Sequence, residues 1–241
     1  MNTPSREQKR QLPRPSISLA ERLVSDLKET LPAKVAAPPQ GIPPEFPFKV
    51  LSLREPLLCR IVDLVEASLH LCKTDKGMGA AILARAVLEA TAVLFALAEM
   101  VESTVKVKGE DVGQLEQRLN AMLVGSKNQK TPVEATNILT HIRKMDKTFK
   151  GILEHYDLLS ELAHPNFSGV LNSYARLGSV KFELIMGPRD RLKSIIGQVV
   201  IPTLCCCLIA SGRFSDRISA VLSAFCSMHQ RANVQASEED A

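Results

Sequence analysis

Apolar residues recur every three or four positions along most of this chain and almost nowhere at every second one. From Glu55 to Lys73, Leu58, Ile61, Val62, Val65 and Leu69 fall on one side of a helix. The next stretch, Lys76 to Val105, is apolar nearly all round, and Arg85 and Glu89 are its only charges before Glu99. A helix of that kind belongs at the centre of a fold. Val112 to Val124 predicts a shorter, more polar helix. Thr131-Pro132-Val133-Glu134 matches a capping box with proline at the first helical position. It opens a long helix, kinked or broken near Gly151, that reaches His164 and stops at Pro165. Gly169 to Phe182 reads either as helix or as irregular structure. Pro188 to Ala210 and Ser215 to Ala232 predict the last two helices. No run alternates long enough for a sheet, so the expected fold is an all-α antiparallel helical bundle.

The first 47 residues read differently. Residues 1–16 are polar. Ile17 to Leu31 carries Leu19, Leu23 and Leu27 on one face, with Ser16 or Ser18 as N-cap, which predicts a short amphipathic helix. Six prolines between 32 and 47 then predict an extended linker. The expected organisation is a flexible N-terminal arm over 1–47, a helical domain over 48–232 and a disordered acidic tail over 233–241. The arm is expected to be dispensable for folding.

Composition narrows the function classes only a little. The chain has 241 residues, 45% apolar and 23% charged, with a net charge of +4, which is ordinary for a soluble protein. It has no Trp and two Tyr, which argues against stacking platforms for single-stranded nucleic acid. None of the six cysteines forms a C-x-x-C pair. Cys205, Cys206 and Cys207 point about 100° apart on a helix and cannot close on one metal. Most read as small buried hydrophobes in a reducing compartment. The N-terminus has no apolar core of a secretory signal, so a cytoplasmic location is expected. Ser194 to Gly212 is uncharged over nineteen residues. Gln198, Pro202 and Thr203 favour a buried core helix there over a membrane span.

Two polar clusters stand out against this background. Arg85 and Glu89, at i and i+4, can pair. In the second cluster, Tyr156, Ser160 and His164 are spaced by four, with Asp157, Glu161 and Asn166 beside them. At a helix C-terminus the dipole favours a protonated His164, suited to proton transfer or to holding a phosphate. The plainer reading is a helix stop in which His164 caps carbonyls and Pro165-Asn166 turns the chain. Glu161 and His164 spell E-x-x-H, but a di-iron bundle needs that motif twice, and no second copy exists. No P-loop, nucleophile elbow or H-E-x-x-H occurs. No metal and no cofactor is expected.

The segments ARAVLEA (84–90), ILTHIRKMDK (138–147) and YDLLSELAHPNFSG (156–169) together resemble a bacterial group of HEPN-like helical proteins of unknown function. The resemblance covers residues 50–210. It implies a helical bundle and a role in mobile-element or phage-defence settings. Many HEPN proteins are metal-independent ribonucleases marked by an arginine, four to six residues, and then a histidine. No arginine precedes a histidine at that spacing here; only His164 carries over, and Arg85 would have to reach it across the bundle. The resemblance therefore leaves two readings. One is a non-enzymatic or degenerate interaction module, with RNA or a protein as partner and a homodimer compatible. The other is a ribonuclease with His164, Arg85 and Glu161 as catalytic groups and Glu89, Tyr156, Ser160 and Asn166 as binding groups. Both expect Arg85, Glu89, Glu161 and His164 to converge between two helices, because burying Arg85 and Glu89 without partners would cost several kcal/mol.

Overall fold

The computed structural model describes residues 14–36, 45–106, 117–122, 136–187 and 189–239. It is mainly helical, as the periodicity predicts. Helix α1 spans Ile17–Glu29, α2 Glu45–Lys73, α3 Gly77–Lys106, α4 Ile138–Thr148 and α5 Ile152–Ala163. A π turn (Phe167–Leu171) and a single helical turn (Asn172–Tyr174) lead into a hairpin of β1 (Ala175–Leu177) and β2 (Leu184–Met186). Helix α6 (Arg189–Ile195) then runs through a second π turn (Ile196–Val200) into α7, Ile201–Glu239.

Helix α3 is the axis of the fold and packs against α2, α4, α5, α6 and α7. Its alanines at 80, 81, 84, 92 and 98 are almost wholly buried. Small side chains there let neighbouring helices approach, while Leu94, Phe95 and Leu97 fill the space between them. Phe95 meets Phe214 of α7 with ring centroids 5.3 Å apart, and Phe149, just past α4, at 6.0 Å. Helices α2 and α3 form a helical hairpin. Its turn is a Schellman motif: the Lys76 N–H donates to the Leu71 carbonyl at 2.9 Å and the Asp75 N–H to Cys72 at 3.3 Å. Asp75 takes the left-handed position there, with φ 57°.

The structure corrects several sequence expectations. Helix α1 is docked and not part of a free arm. Leu19, Ala20, Val24 and Leu27 are buried, and the helix packs on α2 and α7. Lys28 reaches Glu66 at 2.7 Å, and Lys73 pairs with Glu21. Ser16 is the N-cap, its Oγ accepting from the Leu19 N–H at 3.1 Å. Helix α2 starts at Glu45, inside the expected linker, and carries Pro56 in its interior. Buried Val50 and Leu53 hold that extra stretch on the core despite the missing N–H.

The capping box at 131–134 lies outside the described residues. Helix α4 instead opens at Ile138, behind Asn137 in extended conformation, whose Oδ1 accepts from the Leu139 N–H at 3.0 Å. The expected break at Gly151 is present: its φ is 96°, and Asp146 Oδ1 caps the Gly151 and Leu153 N–H groups. Of the helix expected over 112–124, residues 117–122 are described and helical, with Leu119 buried. Near the C-terminus no break falls at Gly212. Phe214 and Ile218 continue the buried face, and that packing outweighs the roughly 1 kcal/mol cost of a glycine in a helix. Helix α7 runs on to Glu239, through most of the expected disordered tail.

Among the described residues, two helices are long and apolar enough to cross a membrane by length and composition, Gly77–Ser103 and Asp190–Arg231. More than half of the apolar stretch in each is buried inside the protein.

Candidate functional site

The polar interruption of α3 finds its partner on α5. Arg85 Nη2 donates to Tyr156 Oη at 2.9 Å, and that hydroxyl donates to Glu89 Oε1 at 3.0 Å. Arg85 Nε lies 3.3 Å from the same Glu89 oxygen. The guanidinium also sits 5.1 Å from the centre of the Tyr156 ring, a cation–π arrangement. Tyr156 is buried, whereas Arg85 and Glu89 keep just over a quarter of their side-chain surface exposed. The three groups form a closed ring of contacts that ties α3 to α5.

The rest of the 156–169 motif folds back on itself. Ser160 Oγ donates to the Tyr156 carbonyl at 2.8 Å, one turn earlier. Asn166 Nδ2 donates to Glu161 at 2.6 Å, and its Oδ1 accepts from the Gly169 N–H at 3.0 Å. Asn166 is the N-cap of the π turn. Gly169 is buried so tightly that a Cβ there would stand 2.0 Å from the His164 carbonyl oxygen and 2.8 Å from that of Leu162. His164 closes α5 with φ −84° and ψ 146°, the extended conformation that a following proline demands. Its ring is exposed and, among the described residues, has no hydrogen-bond or ion-pair partner.

The expected convergence of Arg85, Glu89, Glu161 and His164 is therefore only half realised. Arg85 and Glu89 meet Tyr156, not His164. Eight residues separate Tyr156 from His164, about 12 Å along a helix axis, which carries the histidine past the reach of Arg85. Glu161 lies about 140° around the helix from Tyr156 and faces solvent. His164 does not cap carbonyls with its ring either; the stop is made by Pro165 and Asn166.

Sequence reasoning missed three contacts. Arg217 on α7 clasps α3 by donating to Glu102 and Glu99, each at 2.6 Å. Its hydrogen bonds to Glu102, and then to Glu99, hold it yet more firmly protonated than an ordinary arginine. Glu99 and Glu102 are one turn apart, which is a signal, but nothing local names a partner more than a hundred residues away. Buried Glu55 pairs with Arg54, which in turn donates to Ser219 at 2.7 Å. His155 Nε2 lies 2.5 Å from Thr203 Oγ1. Thr203 gives its own proton to the Val199 carbonyl at 2.7 Å, so His155 is the donor and carries its proton on Nε2.

Burial lowers the pKa of His155, and burial followed by the nearby Lys144 charge lowers that of His141. Both therefore take up a proton less readily in the fold than in the unfolded chain, where histidine titrates near 6.5. As the pH falls through that value the unfolded state binds more protons, and stability falls. Melting temperature should be flat above pH 7 on this account and decline below about 6.5. His155→Gln, which keeps a donor for Thr203, should flatten that decline; thermal melts at closely spaced pH values check it.

The buried thiols are poor nucleophiles. Burial raises Cys72 to about 11 and Cys207 to about 12. Cys72, Cys205 and Cys207 are buried, as expected of most of the cysteines, but Cys59 and Cys206 are exposed.

No protein-family model matches this chain, and no curated protein and no solved structure matches it.

Proposed function

We propose that this chain is a non-enzymatic interaction module on a HEPN-like helical scaffold, acting in the cytoplasm. The observation that carries it is the Arg85–Tyr156–Glu89 ring of contacts, which engages Arg85 and Glu89 with Tyr156 and away from His164. The other motif residues have structural tasks: Ser160 bonds to its own helix, Glu161 holds Asn166, and Asn166 holds Gly169. The described residues also leave a large apolar surface exposed in one segment. Nine of the fourteen large apolar residues exposed among the described ones lie between Phe167 and Met186. That segment is the docking surface of the module.

One observation favours the ribonuclease reading, namely the exposed and unpartnered His164 ring. Incubating the purified protein with total RNA separates the two. The interaction module leaves the RNA intact, and His164→Ala melts at the same temperature as the parent. RNA cleavage by the parent that disappears in His164→Ala, with the melt unchanged, would establish the enzyme instead.

A further inference from the structure

The hairpin stands away from the bundle. Its main contact outside itself is with the π turn at Phe167–Leu171. Strand pairing sets Leu177 opposite Leu184 and Ala175 opposite Met186, so these four share one face. Leu177 is 83% exposed and Met186 69%. In the connecting loop Val180 is 66% exposed and Phe182 96%. Phe182 has φ 67°, a left-handed conformation that a bulky aromatic adopts at a cost of about 1–3 kcal/mol. The loop is closed by the Gly178 N–H donating to the Glu183 carbonyl at 3.0 Å and the Glu183 N–H to Val180 at 3.2 Å. The protein thus accepts strain and holds an aromatic ring out in water at the apex of a protrusion.

Charge selects the partner. Between residues 174 and 193 the sequence has five cations (Arg176, Lys181, Arg189, Arg191, Lys193) and two carboxylates (Glu183, Asp190). That is a net +3 in the sequence; Lys193 lies 3.9 Å from Asp75 and Arg191 Nε is buried, so Arg176 and Lys181 are the exposed cations on the hairpin itself. Glu183 is folded back onto Gly178, and Lys181 stands 5.0 Å from the centre of the Phe182 ring. A convex apolar apex flanked by the exposed cations Arg176 and Lys181 matches the layering of a bilayer surface, with acyl chains beneath anionic headgroups. A rigid protein groove would have to enclose the apex and the strand face together, whereas lipid flows around both.

We infer that the 175–186 hairpin is a peripheral membrane-docking element, inserting Phe182, Val180 and Leu177 into an anionic lipid surface while the helical bundle stays outside. This rests on the interaction-module reading, but its test is independent of the RNA assay.

The chain has no tryptophan, so Phe182→Trp in the full chain is a single-site reporter. Vesicles of phosphatidylcholine alone are compared with vesicles of equal parts phosphatidylcholine and phosphatidylglycerol. The expected result is co-sedimentation with the anionic vesicles and a blue shift of the Trp emission on binding. Binding should weaken as salt is raised. Phe182→Ser should lower the affinity about tenfold, the order expected for losing one inserted aromatic ring, with an unchanged melt. Three results would overturn the inference. One is no binding to either vesicle. Another is binding without a blue shift that Phe182→Ser leaves intact, which would move the contact to the exposed Arg143, Lys144 and Lys147 of α4. The third is a lipid-independent blue shift with a doubled mass by light scattering, which would make the occupant a second copy of the chain.

Discussion

A version of the protein that starts at Glu45 should melt about 10 °C lower than the full chain and bind a hydrophobic dye before it unfolds. Removing α1 strips Leu19, Val24 and Leu27 from the core and bares the faces of α2 and α7 that they cover. Each such side chain stabilises by about 1.5–3 kcal/mol on burial, and part of that is offset by the chain entropy of ordering the helix. A net loss of about 4 kcal/mol is a large share of the 5–15 kcal/mol typical of a domain and gives the stated shift at this size. The two ion pairs to α2 are exposed and add little. Calorimetry of the two chains decides it: identical melts would mean that α1 sits on the bundle without contributing to it.

Gly169→Ala should cost about 3 kcal/mol, the upper range for forcing an extra carbon into a filled space. The added Cβ would meet two backbone oxygens, of His164 and Leu162, and no rotamer change can move them aside. The substitution should displace the π turn and with it the hairpin, so limited proteolysis should cut between 164 and 187 before the bundle melts. Gly212→Ala is the control. Nothing lies within 4 Å of its added carbon, and it sits within α7, so it should stabilise by about 0.5–1 kcal/mol. If Gly169→Ala melts like the parent, the close approach at the motif's end does not exist in solution.

The legible part of this fold was its periodicity. The apolar circumference of α3 announced its central place, and Gly151 within a long helical pattern announced a kink or break. The docking of α1 was not legible, because a leucine stripe reads the same whether it covers its own core or a partner. The hairpin was invisible for a different reason: strands of three residues are too short to display alternation. At the site, Arg85 and Glu89 were recognisable because charges in an apolar helix need partners. Tyr156 appeared in the pattern, but as a member of a histidine face and not as the partner itself. Spacing by four places residues on one side of a helix; it does not say how far along that side the neighbouring helix reaches.

The π turn at Ile196–Val200 has a consequence for how the C-terminal rod is read. Pro202 cannot donate to the carbonyl four residues back, and a wider turn of backbone relieves its ring. One extra residue in a helical turn advances every later side chain by about 100°. The rod is therefore out of phase with itself. Its first segment, α6, turns its apolar side to α3, while α7 addresses both α1 and α3 from a rotated setting. A single unbroken helical frame laid across 189–231 would misplace every position after the turn by about 100°.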